Sequence, residues 1–193
     1  MSDLDVPSPL TGQELFDGLD ATVLDFWRWA MSDLRVNNVR GYLAEFLVAK
    51  AVGSTGTRIE WDSYDVTAPD GTRIEVKTTG GIQAWEPTHP AQPKWSGLRA
   101  RTWTPTDGYA AEASYNADVY VFCHHTATTR QDYRALDTSQ WDFYVMSQAA
   151  VAATGWKSMT LSTVSRLSGG KLSYPNLAGA IAQASRQQKY PAP

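Results

Sequence analysis

Two carboxylates and a lysine, Asp65, Glu75 and Lys77, fall within one short stretch, WDSYDVTAPDGTRIEVKTT (residues 61–79). Residues 73–78, Arg-Ile-Glu-Val-Lys-Thr, alternate polar and apolar with period two, which predicts a half-buried strand. Ile74 and Val76 then face a core, with Arg73, Glu75 and Lys77 on the other face. Tyr64-Asp65-Val66-Thr67 alternates in the same way. Between the two strands, Pro69 and Asp70 suit the central positions of a type I turn, and Gly71 supplies the positive φ that rejoins the ladder as a bulge. This loop pairs Ala68 with Thr72, Val66 with Ile74 and Asp65 with Glu75. Opposed residues on one face have Cβ atoms about 4.5–5.5 Å apart. Two carboxylates that close repel unless a proton or a cation lies between them. A divalent ion with oxygen ligands at about 2.0–2.1 Å fits that gap. Asp62, three residues earlier, points to the opposite face in the same register, which leaves Asp65 as the ligand.

Asp65 followed by Glu75-Val76-Lys77 resembles the D…(D/E)xK signature of the PD-(D/E)xK nucleases, with Tyr64 where that superfamily usually has proline. The resemblance implies that Asp65, Glu75 and the Val76 carbonyl hold Mg²⁺, for which Mn²⁺ would substitute. It gives Lys77 the task of orienting or deprotonating the attacking water. A helix is predicted over residues 39–52, capped by Asn37 or Asn38 and ended by Gly53. Val39, Tyr42, Leu43, Phe46 and Leu47 form its apolar stripe. A carboxylate amid so many apolar residues is costly unless it meets a cation, donors or a metal, and Glu45 is that residue. The segment RGYLAEFLVAKAVG resembles the first core helix of the same superfamily, whose Glu reaches the metal site directly or through water. An ion pair of Glu45 with Arg40 or Lys50 is the plainer expectation. Gln83, soon after the ExK strand, matches a residue that several relatives use to position water or phosphate.

Residues 86–108, rich in Pro, Gly, Thr and Trp, read as a long loop with one short strand. Lys94, Arg99 and Arg101 are interleaved there with Trp85, Trp95 and Trp103, and cations beside flat rings suit phosphate contacts and base stacking. Leu98-Arg99-Ala100-Arg101 equally suits an exposed edge strand. Residues 117–123 and 141–146 read as strands, 147–154 as a small helix, 158–167 as a short strand or irregular, and Pro175 opens a last helix whose end trails into solvent. His124 and His125, adjacent on a strand, point to opposite faces and cannot readily share one ion. Towards the N-terminus, residues 1–10 read as a flexible lead-in. Thr11 caps a short helix to Gly18, and Asp20 caps an amphipathic packing helix over residues 21–34.

The chain of 193 residues is 42% hydrophobic and 19% charged, values of a folded domain with a sizeable core. A net charge of −3 excludes a passive, basic nucleic-acid coat but not a nuclease with a local basic patch. The single cysteine, Cys123, excludes a disulfide framework and a zinc cluster. No apolar run approaches the roughly 20 residues that span a bilayer, and the acidic start lacks a signal segment, so no membrane partner and a cytoplasmic location are expected.

The resemblance implies an α/β, restriction-endonuclease-like αβββαβ core, a mixed central sheet flanked by helices. We expect one domain over residues 1–193, with its core at about 38–150, a helical N-terminal extension over 1–36 and a C-terminal extension over 155–193. The activity it implies is Mg²⁺-dependent hydrolysis of DNA, double-stranded or branched. RNA cleavage by the same site, a non-catalytic nucleic-acid-binding or assembly module, and an unrelated α/β binding domain are the alternatives. Cutting both strands of a duplex usually takes two sites, which a homodimer would supply.

Overall fold

The computed structural model describes residues 8–58, 60, 62–85, 92–104 and 106–189. Most of the expected lead-in, Trp61, the first part of the tryptophan-rich loop with Pro105, and the C-terminal tail lie outside these residues. The chain divides into two compact units, residues 1–34 and 35–193. In the first, helix α1 (Val23–Met31) starts at Thr22, not Asp20, because Thr22 and Asp25 form a reciprocal capping box. No helix forms from Thr11 to Gly18; the Glu14 carboxylate instead accepts hydrogen bonds from the Thr11 and Gly12 amides, closing a turn.

The second unit is built on helix α2 (Asn37–Val52) and a four-stranded sheet. Gly53 ends α2 with φ 73° and donates its N–H to the Ala49 and Lys50 carbonyls, the left-handed cap that glycine adopts without strain. The sheet runs in the order β1 (Val66–Thr67), β2 (Arg73–Gly80), β6 (Val119–His125), β7 (Trp141–Ser147). β1 and β2 are antiparallel, β2 and β6 parallel, β6 and β7 antiparallel, which makes the sheet mixed. Within the long β2–β6 crossover lie β3 (Lys94–Ser96), β4 (Trp103–Thr104) and β5 (Gly108–Tyr109). After β7 come α3 (Gln148–Ala152), β8 (Ser158–Thr160), α4 (Leu161–Leu167) and α5 (Tyr174–Lys189). Residues 158–167 thus split into a strand paired with β3 and a helix. The arrangement is the expected restriction-endonuclease-like one. One detail differs: β6 and β7 are joined by a loop with a single 3₁₀ turn, Thr138–Gln140, and the helix follows β7.

Both faces of the sheet are covered. Ile74, Val76, Val119, Val121 and Phe143 meet Ala44 and Val48 of α2 and Leu177 and Ile181 of α5. On the opposite face, the one that carries Glu75 and Lys77, Tyr120, Phe122, Tyr144 and Met146 pack with Trp95, Leu98, Met159 and Val164. The polar face of β2 therefore borders a second core, not open solvent.

Two expectations change here. The buried side of α2 is Arg40, Ala44 and Val48, while Tyr42 and Phe46 of the expected stripe are exposed. Small Ala44 lets the helix lie close on the sheet, and buried Arg40 donates to the Ile82 carbonyl at 2.7 Å, to Asn37 at 2.5 Å and to Tyr133, while its Nε is buried without a partner among the described residues. Trp95, expected to stack on nucleic acid, is 1% exposed and donates its indole N–H to the Cys123 carbonyl. Trp103 of β4 is 45% exposed. Trp95→Ala should therefore lower stability by about 3–5 kcal/mol in urea denaturation, whereas Trp103→Ala should change it by no more than about 0.5 kcal/mol.

Candidate functional site

The hairpin forms as its turn residues dictate. Gly71 (φ 82°) donates to the Ala68 carbonyl, Ala68 donates to the Thr72 carbonyl, and Val66 stands opposite Ile74. The ladder then stops. Asp65 is not a ladder partner of Glu75; its amide reaches the Ile74 carbonyl at 3.0 Å and its carboxylate accepts the Val76 N–H at 2.7 Å. A side chain has replaced the backbone acceptor, so the segment before Val66 bends away. The strict alternation expected for residues 62–65 fails with it, and Asp62 lines the same clefts as Asp65 instead of facing the opposite side.

Glu75 and Lys77 share a face of β2, opposite Tyr120 and Phe122 of β6. Lys77 Nζ lies 2.5 Å from a Glu75 carboxylate oxygen, and the two side chains are 24% and 14% exposed. Glu45 sits on α2 with its side chain 12% exposed, and its partner is Arg58, not Arg40 or Lys50. Arg58 also reaches Glu60 and lies 4.5 Å over the Tyr42 ring. Lys50 instead lies over Phe46.

Burial holds three carboxylates in this setting above the usual range. Burial, joined by the charge of Asp65, pushes Glu75 up to about 7, against the opposing pull of Lys77. Burial also raises Asp65, resisted by the Val76 N–H and Lys77, and raises Glu45, resisted by Arg58. Burial works against the charge of Arg58, but Glu45 and Glu60 outweigh it and hold the guanidinium above its ordinary value.

Asp65 stands where two clefts meet. One, about 280 Å³, runs past Tyr42, Glu45, Arg58, Asp62 and Tyr64. The other, about 300 Å³, is lined by Glu60, Asp62, Asp65 and Glu75 with Arg101, Thr102, Trp103 and Tyr109. Trp103 and Tyr109 are opposite one another on the β4–β5 hairpin, and both are exposed. Sequence reasoning missed Tyr109, although the Asp107-Gly108 pair between two aromatic residues is a hairpin signal. It also missed Arg58, for which the chain carries no local sign.

The other expected residues are placed elsewhere. The Arg99 guanidinium donates to the Ala113 carbonyl at 2.6 Å and lies over Tyr115, a tie within the crossover. Lys94 is exposed on β3, paired with Thr160. Trp85 is exposed. Gln83 donates to the Gly80 carbonyl at the end of β2, and its own carbonyl oxygen is buried without a partner among the described residues. Of the expected nucleic-acid contacts, Arg101 and Trp103 are the ones brought to the acidic cleft.

The donors Glu45, Asp65 and Glu75 are hard oxygens, the kind that Mg²⁺ and Mn²⁺ take and that a thiolate-seeking metal does not. Their mutual repulsion is what a divalent cation relieves, so the donor set fits such an ion in kind. As arranged, each carboxylate is engaged by a protein donor. No group of three or more His, Cys, Asp or Glu residues, among the described ones, is set to hold a metal ion.

A carboxyl raised by burial binds a proton in the folded state that the unfolded chain has already released. Its stabilising contribution is full below the ordinary value of 4.5 and is lost as pH rises through about 7. In thermal melts with chelator present, the midpoint of the wild type should fall over that window. Glu75→Gln should remove much of the slope.

The chain matches the family described as bacteriophage T4 endonuclease IV over residues 28–162. No curated protein and no solved structure matches it. Glu45, Asp65, Glu75 and Lys77 all lie inside the matched segment, which spans well over half of the chain. With that match joined to the mixed sheet, the chain belongs to the bacteriophage T4 endonuclease IV family of nuclease-type enzymes, part of the PD-(D/E)xK nuclease superfamily.

Proposed function

We propose that this protein is a Mg²⁺-dependent endonuclease that hydrolyses DNA phosphodiester bonds at Asp65, Glu75 and Lys77. The observation that carries this reading is the burial of Asp65 and Glu75 together at one end of the hairpin, where burial raises the proton affinity of both and the charge of Asp65 adds to it at Glu75, with Lys77 2.5 Å from Glu75. Such a pair is costly in the absence of a cation and well suited to one. Asp65, Glu75 and the Val76 carbonyl would hold the ion, with Glu45 completing the shell. Once bound, a divalent ion supplies neutralisation of charge at the phosphate and a more acidic water.

The chain's own groups divide the remaining work. Lys77 would hold the attacking water in line with the phosphorus and accept or relay its proton. Arg101 would meet a backbone phosphate, and Trp103 with Tyr109 would offer ring faces to the bases beside it. The cleft itself presents Glu60, Asp62, Asp65 and Glu75 against Arg101. A polyanion enters such a groove only when the acidic charge is offset, which supports a reading in which metal and substrate bind together.

Purified protein with Mg²⁺ or Mn²⁺ should cut DNA, and chelation should stop it. Lys77→Ala should slow cutting by about 10²–10⁴-fold, and Asp65→Ala should bring it below detection. Single-stranded, double-stranded and branched DNA should be assayed beside RNA. Cutting of RNA alone would move the substrate class, and wild-type protein inert on all four would overturn the reading. Endonucleolytic action is read from internal fragments of a circular substrate.

A further inference from the structure

Arg58 has no part in the chemistry proposed above, yet it occupies that chemistry's ground. It follows the glycine cap of α2 and points its guanidinium back at the helix, with Nε on Glu45 and Nη1 on Glu60. The Tyr42 ring lies 4.5 Å from the guanidinium carbon and forms a floor for it. The same cleft wall carries Asp62, Tyr64 and Asp65. A cation therefore already sits on the helix carboxylate that the proposed metal site needs.

We propose that Arg58 is a resident cation on Glu45 that a divalent ion displaces, and that the displaced guanidinium then grips a substrate phosphate in the same cleft. This rests on the metal-dependent reading and adds a substrate-contacting residue to it. Arg58 holds one oxygen of the Glu45 carboxylate, and a divalent charge close to Asp65 and Glu75 repels a guanidinium already there. The residue type suits the exchange. A guanidinium is a planar fork that binds carboxylate and phosphate oxygens with the same geometry, so it trades one anion for the other without changing shape. The stack on Tyr42 keeps the fork at the cleft wall while its partners change. A lysine would offer only a point charge. An ion pair kept solely to tie the loop to the helix would contribute little where Arg58 is one-third exposed.

The two roles predict different signs. If Arg58 is a structural tie, removing it loosens the site and weakens metal and nucleic acid alike. If it is an exchanging cation, removing it helps the metal and harms the nucleic acid. The experiment titrates full-length Arg58→Gln and wild type with Mn²⁺ by calorimetry, and separately with a fluorescein-labelled oligonucleotide in Ca²⁺ by anisotropy. The expected result is Mn²⁺ binding at least about fivefold tighter and oligonucleotide binding at least about fivefold weaker in the variant, the lower end of ordinary coupling between sites.

Glu45→Gln, close to isosteric, gives the mirror image and carries the test if Arg58→Gln does not fold. It should bind Mn²⁺ more weakly and, in chelator, bind the oligonucleotide more tightly than wild type. Arg58→Gln that weakens both ligands, or leaves Mn²⁺ affinity unchanged, overturns the exchange. So does Glu45→Gln that fails to gain oligonucleotide affinity. Wild type that takes up no Mn²⁺ overturns the metal-dependent reading itself. Mn²⁺ uptake lost in Asp65→Ala but indifferent to Arg58 overturns the exchange alone.

Discussion

The hydrogen bond from the Val76 amide to the Asp65 carboxylate, 2.7 Å long, is the constraint on which the site depends. An amide in a β-ladder ordinarily meets a carbonyl of the neighbouring strand. Here a side chain takes that place, which ends β1 after two residues and bends the chain before it. The same contact pins Asp65 beside the strand that carries Glu75 and Lys77. It brings Asp62 and Tyr64 into the cleft walls, since residues that leave a ladder no longer alternate between its faces. A carboxylate that accepts a backbone N–H is stabilised in its charged form. That partly offsets the burial that raises Asp65.

Around this point the fold supplies rigidity from two directions. Ile74 and Val76 are clamped against α2 and α5 on one face of the sheet, while Tyr120 and Phe122 are clamped by Trp95 and Leu98 on the other. Arg73 grips Asp118 with two guanidinium nitrogens and its backbone N–H, locking the start of β2 to the approach to β6. The strand that carries Glu75 and Lys77 is thus held at its beginning, along its edge and on both faces. Acidic groups confined to a frame of this kind cannot relax apart, and so their mutual repulsion remains available to be relieved by a cation.

Electrostatic economy explains the rest of the cleft. Glu45 is matched by Arg58, Glu75 by Lys77, and Asp65 by a backbone donor. Asp62 adds further negative charge where the two clefts meet, and Glu60, which Arg58 also reaches, lines one of them. Carboxylates that are each met by a protein donor avoid the cost of an unpaired buried charge.

Much of this was legible in the chain alone, wherever a local pattern carries the physics. The alternation of residues 73–78 placed Glu75 and Lys77 on one face because a strand has period two. Pro69-Asp70-Gly71 determined the hairpin and the pairing of Val66 with Ile74 because only glycine adopts the required φ freely. Gly53 ended α2 for the same reason. Glu45 stood out because a carboxylate on an apolar helix needs a partner. What the tertiary structure decided is what depends on distant neighbours. The rotation of α2 that buries Arg40 and exposes Phe46 follows from close packing on the sheet, which helical periodicity alone does not specify. Trp95 and Trp103 sit eight residues apart in similar surroundings of sequence, yet one is core and the other cleft wall, because β3 pairs with β8 and β4 turns back on β5. The partner of Glu45 is Arg58, thirteen residues away across a loop. A cation's choice among several carboxylates depends on three-dimensional proximity and desolvation, and neither is written in the spacing of residues along a chain.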